Sequence, residues 1–191
     1  MTANSADTER RQFYRIDDYV RLTVRPVEGA KGLEDLVARI EGEREDRFTL
    51  AATFLAQSRE MNLMLRNAGR QPDALVRYLR TLDDKLNTLA RLLMEDRCQD
   101  EPGYAVNLSA GGMSFASTQA MDPDQIVEVR MVLLPEEVGI LAAGRVVECH
   151  RQEGEGPPFR VGLEYAHIRE ADRDLLVKHV LDQQRRRCRE K

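Results

Sequence analysis

This chain carries none of the short motifs that announce a reaction. Its 191 residues contain no Gly-rich Walker loop, no Gly-x-Ser-x-Gly and no His-Glu-x-x-His, which removes the usual signatures of nucleotide hydrolysis, acyl transfer and zinc proteolysis. No pair of strand-borne carboxylates suggests acid–base work, so the expectation is a binding module that is not an enzyme and needs no cofactor. Cysteine is scarce: Cys98, Cys149 and Cys188 are odd in number and widely spaced, which excludes a disulfide framework and reads as free thiols. Cys149-His150 does not make a metal site, because neighbouring strand residues point to opposite faces and no second pair completes a tetrahedral set. His167 and His179 read as surface or half-buried residues. A long apolar run is also missing. The longest, Val138 to Ala143, is interrupted by a glycine and is far too short to span a bilayer. The first nine residues are polar, without the apolar region of a secretory leader, so a cytoplasmic protein with no membrane insertion is expected. Net charge is −4, so bulk electrostatics favour neither nucleic acid nor anionic lipid.

What the chain does contain is ordinary material for a folded protein, at 42% hydrophobic and 32% charged residues. That length can bury one good core, or one small domain plus an accessory element. Residues 16 to 27 alternate, with Val20, Leu22 and Val24 against Tyr19, Arg21, Thr23 and Arg25, as a half-buried strand does. From 103 to 168 come short strands near 104–108, 112–117, 126–134, 139–149 and 159–165. Turn signals separate them, Pro135-Glu136-Glu137 and Gly154-Glu155-Gly156-Pro157-Pro158 among them. Glu170 to Arg187 reads as a helix with Leu175, Leu176, Val180 and Leu181 inward, and its Arg185-Arg186-Arg187 complements the helix dipole. The fold class is therefore α+β: a small antiparallel six-stranded barrel with a C-terminal helix, discontinuous over residues 9–29 and 100–187.

The segment between, residues 31–98, has another period. Leu75, Leu79, Leu82, Leu86, Leu89 and Leu93 step by four and three, a heptad seam of about three repeats. Ahead of it Leu36, Ile40, Leu50, Phe54, Met61 and Met64 share a stripe that Glu43 and Arg47 interrupt. Gly69 and Pro72 supply a helix stop and a helix start. The expectation is an inserted antiparallel helical hairpin, since both ends must return to the barrel. Phe48, Leu55, Leu65 and Val76 widen the apolar stripe beyond what one partner helix covers. Either the seam packs on the hairpin's own first arm or on the barrel, or it joins subunits into a helical bundle. Homo-oligomerisation is the preferred expectation.

Two stretches carry the chemistry: Arg10-Arg11-Gln12-Phe13-Tyr14-Arg15, and Asn107-Leu108-Ser109-Ala110-Gly111-Gly112. An arginine fork satisfies the O6 and N7 acceptors of guanine together, stacks on bases and grips phosphate. The Asn107 oxygen can accept from a guanine N–H, and Ser109 can reach phosphate or ribose. Gly111 and Gly112 let backbone N–H groups approach an anion and adopt positive φ. The pattern is that of a split guanine-nucleotide site.

Arg-x-x-x-Arg ahead of a first strand, followed by Asn-x-Ser-x-x-Gly after a second, resembles the PilZ domain, a bacterial receptor for cyclic di-GMP. The matching residues are Arg11, Arg15, Asn107, Ser109 and Gly112, with Arg10 beside the first motif. Tyr104-Ala105-Val106, Gly112-Met113-Ser114-Phe115 and Val161-Gly162-Leu163-Glu164-Tyr165 resemble the flanking strands. The resemblance implies a ligand, cyclic di-GMP, bound by Arg10, Arg11, Arg15, Asn107, Ser109, Gly111 and Gly112. It further implies an arginine leader that orders on binding and passes the signal to a downstream protein the sequence does not specify. Two departures stand out. No tryptophan is present, although some PilZ domains stack an aromatic residue on the ligand from a barrel strand, and here that strand carries Glu148, Cys149 and His150. Stacking would fall to arginine, His150 or Tyr14. The second departure is the insertion itself. The alternative function is a PilZ-like oligomeric scaffold that binds no nucleotide.

Overall fold

Period-two alternation from Ile16 onward builds the first strand. Ile16, Val20 and Leu22 turn inward and are buried, while Asp17, Tyr19 and Arg21 face out or lie half-exposed. The computed structural model describes residues 14–44, 46–67, 73–98, 103–135, 137–154 and 156–189. In chain order the elements are β1 (Ile16–Pro26), α1 (Gly29–Ile40), α2 (Arg47–Asn67), α3 (Asp73–Cys98), β2 (Tyr104–Ser109), β3 (Gly112–Ser117), β4 (Ile126–Leu133), β5 (Val138–Arg151), β6 (Phe159–Ile168) and α4 (Glu170–Arg189).

The strands close an antiparallel barrel in the order β1-β2-β3-β6-β5-β4, so no edge is left open among them. β1 shares its length between two neighbours, pairing with β2 through Ile16–Val20 and with β4 through Val20–Pro26. Its interior is filled by Leu108, Met113, Val127, Val129, Met131, Ile140 and Leu163, all essentially inaccessible to water. Each such side chain contributes about 1.5–3 kcal/mol on burial. From α4, Leu176 and Val180 join this core. Leu175 and Leu181, expected inward, are exposed. The helix instead turns Asp172, Leu176, His179 and Val180 inward. His179 is therefore buried rather than superficial, 2.6 Å from Asp18 of β1.

The insertion contains three helices, not a two-armed hairpin. A Schellman stop ends α1: Gly42 has φ +79°, Glu43 N–H donates to Ala38 O and Gly42 N–H to Arg39 O. Asp46 then caps α2 by accepting from Thr49 N–H at 3.3 Å. The apolar stripe that Glu43 and Arg47 interrupt in the sequence is thus divided between two helices. Leu36, Ile40, Phe48, Ala51 and Leu55 pack with Ala90 of α3 on the outer wall of β4 and β5, against Val132, Leu141 and Ala143. A charged cluster reinforces this contact. Glu128 of β4 accepts from Arg39 at 2.6 Å and Arg130 at 2.5 Å, Arg130 also reaches Asp46 at 3.1 Å, and its guanidinium lies over the Phe48 ring. Burial alone would raise the Glu128 pKa, but hydrogen bonds and charge from Arg39 and Arg130 outweigh it and hold the carboxyl below its ordinary value.

Further from the barrel, α2 and α3 run side by side, and Leu79, Leu82 and Leu86 of the seam line a groove together with Met61, Met64 and Leu65 of α2. Leu75, Leu79, Leu82, Leu86 and Leu89 keep 38–58% of their surface exposed, so the chain's own helices leave much of the seam uncovered. The side chain of Leu93 lies outside the described ones. No described helix is long and apolar enough to cross a membrane.

Candidate functional site

The register between β1 and β2 brings Arg15, the last residue of the first motif, close to the second. Ile16 lies opposite Leu108 and Asp17 opposite Asn107, so Arg15, the residue before β1, leaves the barrel beside Asn107 and Ser109. Arg15 is exposed. Arg10 and Arg11 lie outside the described residues.

Asn107 points outward, since its neighbours Val106 and Leu108 are buried. Its amide nitrogen donates to Asp17 Oδ1 at 2.8 Å. That bond fixes which end of the amide is nitrogen, and it leaves the oxygen as an acceptor facing the surroundings. A guanine N1–H or N2–H is the kind of donor such an oxygen takes.

Ser109 is placed differently from the expectation. It is 3% exposed, and its hydroxyl closes the β2–β3 turn, donating to Gly112 O at 3.0 Å and accepting from Gly111 N–H at 3.3 Å and Gly112 N–H at 3.2 Å. A hydroxyl offers one donor and two acceptor positions, so all are engaged inside the turn. Neither Gly111 nor Gly112 adopts the positive φ expected of them, and glycine is required at 112 for another reason. A Cβ there would stand 2.1 Å from the Leu163 carbonyl oxygen, and only glycine lets β6 approach so closely. Tyr165 N–H donates to Gly111 O at 2.9 Å, tying the same turn to β6.

Side chains directly opposite on paired strands share a face. The outer row through the site therefore runs Asp17, Asn107, Ser114, Gly162, Glu148. Beyond it, Ala116 pairs with Arg160, and Arg160 with His150. The floor of this wall is small (Ser114, Ala116, Gly162) and its margin is polar. Arg160 Nη2 donates to Ser114 Oγ at 2.8 Å. Glu148 folds over Gly162, where an added Cβ would meet its Cγ at 2.7 Å, and lies 3.3 Å from His150 Nε2. Small groups between hydrogen-bonding rims suit a flat polar ligand laid against the barrel.

α4 adds a second guanidinium beside the β2–β3 turn. Arg173 Nη1 donates to Ala110 O at 3.2 Å, within the motif's turn. Burial drives the Tyr165 phenol pKa far up, opposed by the positive charges of Arg15 and Arg173. Asp17, Arg160 and Arg173 were invisible to motif reading, because their proximity to Asn107 depends on strand register and on where α4 packs.

A family model described as the PilZ domain matches residues 75–182, more than half of the chain, from α3 through most of α4; β1 and the arginine leader precede the matched stretch. No curated protein matches the sequence. Among solved structures, one similar chain is a pathogenic protein from Xanthomonas campestris, described as a tetrameric PilZ domain self-assembled through an unusual helical bundle. It is 18% identical at a TM-score of 0.59, with 97% of each chain covered. Another is the Bacillus subtilis inhibitor of motility MotI/DgrA, 14% identical at a TM-score of 0.45, covering 92% of this chain and 51% of that one.

Proposed function

This chain belongs to the PilZ domain family, a family of binding domains rather than enzymes, and on that footing we propose that it is a cyclic di-GMP receptor acting as a homo-oligomer. One observation carries the reading: Arg15 leaves the barrel beside Asn107, whose amide nitrogen is engaged by Asp17, which leaves its oxygen as the available acceptor. In this reading Asn107 accepts from a guanine edge, and Arg11 and Arg15 close over guanine and phosphate with Arg10 beside them. Gly111 and Gly112 form the turn on which the ligand rests, and Ser109 shapes that turn from within. Arg160 supports the ligand from β6. Closure of the arginine leader is the signal passed to a partner protein.

Self-association is supported by the outward leucine seam and by the helical-bundle tetramer reported for the Xanthomonas protein, whose whole length this chain matches in fold. A second reading, an oligomeric scaffold without nucleotide, is favoured by the structural work that Ser109 and Gly112 do regardless of ligand.

Titration calorimetry with cyclic di-GMP separates the two. The receptor reading expects saturable binding that weakens by about 1–3 kcal/mol in each of Arg11→Ala and Arg15→Ala, the range of a bidentate guanine contact. No heat with wild-type protein, or unchanged affinity in both variants, overturns it in favour of the scaffold.

A further inference from the structure

Nearer the barrel, Leu55 of α2 and Ala90 of α3 share an apolar cluster, but mid-way along the two helices the hydrogen-bonded contacts between them are polar. Asp83 of α3 accepts from Ser58 Oγ and Asn62 Nδ2 of α2, both at 2.5 Å. Asn87, one turn along α3, donates to Ser58 Oγ at 2.9 Å and to Asp83 Oδ2 at 3.2 Å. Ser58 is 4% exposed, and Asn62, Asp83 and Asn87 are half-buried. A carboxylate and two amides are a costly way to hold two helices together, and apolar replacements of such networks are often neutral or stabilising. What a polar network supplies is discrimination: a shift of one helix past the other strips the carboxylate of donors.

The network also lies where a partner would cover it. A groove of about 440 Å³ between the two helices is lined by Met61, Met64, Leu65, Leu79, Leu82 and Leu86, with Asn62 and Asp83 beside them. On one flank stand the exposed Leu50, Phe54, Met61 and Met64 of α2, and on the other the leucines of α3. Two antiparallel apolar rows form a self-complementary surface, since a copy turned about a two-fold axis presents the same rows in return. Leucines at alternating spacings of three and four are the knobs that such a groove receives.

We propose that Ser58, Asn62, Asp83 and Asn87 are the register key of a homomeric helical bundle. The key holds α2 and α3 of one chain in the stagger that turns both apolar rows outward, and a second copy of the chain occupies the groove. The leucine rows alone fit several pairings, including exchange of α3 between chains and slipped alignments. The key leaves its carboxylate satisfied in one. The inference rests on the self-association proposed above and adds what selects its form.

The test uses the full chain. Wild type, Asp83→Leu/Asn87→Leu, Ser58→Ala/Asn62→Leu and Asp83→Asn are compared by native mass spectrometry and light scattering, with thermal melting and cyclic di-GMP titration reporting on the fold. The expected result is one size for wild type and for Asp83→Asn, which keeps an acceptor for its neighbours. Either double variant removes one helix's half of the network, so it should melt somewhat below wild type and distribute over two or more sizes. The two double variants alter opposite helices, so one that fails to fold leaves the other to decide. Double variants that keep the single wild-type size overturn the key while leaving self-association intact. A wild type that is monomeric at tens of micromolar overturns self-association, and the key with it.

Discussion

Asp17 accepts a hydrogen bond of 2.8 Å from the amide of Asn107, a residue 90 positions away in sequence. The two lie opposite each other on β1 and β2, and the contact turns an ambiguous amide into a directed acceptor. It also joins the strand that follows the arginine leader to the strand that carries the second motif.

The first prediction concerns that pair. Asn107→Ala should weaken cyclic di-GMP by about 1–3 kcal/mol, roughly 5- to 150-fold. Asp17→Ala should weaken it less, because the amide keeps its oxygen but loses its orientation. If Asp17 acts through Asn107, the double variant binds no worse than Asn107→Ala, and calorimetry on the four proteins closes the cycle. Additive losses would give Asp17 an independent role.

Gly112 yields a prediction about stability. An added methyl would need the Leu163 carbonyl, now 2.1 Å from the ideal Cβ position, to move. Backbone yields poorly, so Gly112→Ala should cost about 1–3 kcal/mol or more and lower the melting temperature by several degrees. Gly103→Ala is the control, since its Cβ would lie 3.8 Å from Tyr19. Equal melting of the two variants would remove the close-approach explanation.

These residues also show where sequence stops informing. The barrel was legible because strand period and turn residues are local. Asn-x-Ser-x-x-Gly was legible as a motif, but the reason for its glycine was not, because Leu163 of β6 is brought there only by strand pairing. The break between α1 and α2 is written in Gly42 and Asp46, where Glu43 and Arg47 interrupt the apolar stripe, yet the stripe resumes in phase beyond it and reads as one arm. Heptad spacing reveals that α3 has an apolar face. It does not reveal which way that face points, because direction is set by the Asp83 network and by Ala90 docking on the barrel.

Acid should loosen the insertion's hold on the barrel. Glu128 is depressed by Arg39 and Arg130, so its stabilisation is fully present above the ordinary glutamate value of about 4.3 and is lost as pH falls through the lower folded value. Its side chain is 12% exposed, so Glu128→Gln at neutral pH should cost near the lower end of the roughly 3–5 kcal/mol for breaking a buried pair. The gap between wild type and variant, measured by denaturant unfolding, should narrow as pH drops below about 4. A gap that is constant down to acid pH would mean that the carboxylate charge contributes nothing at this contact.

The seam itself gives the last prediction. Leu82 and Leu86 stand mid-helix, 44% and 49% exposed in the single chain, so Leu82→Glu/Leu86→Glu places two carboxylates in water if the chain is a monomer and in an apolar interface if it is not. Burying unpaired carboxylates costs far more than an interface gains from two leucines. The double variant should therefore run as a smaller species by light scattering. The barrel's core shares no residue with the seam, so its melting and its cyclic di-GMP affinity should change little. Loss of affinity together with size would show that the assembly helps to build the ligand site. Unchanged size would remove the seam from the interface and leave the outward leucines as a docking face for another protein.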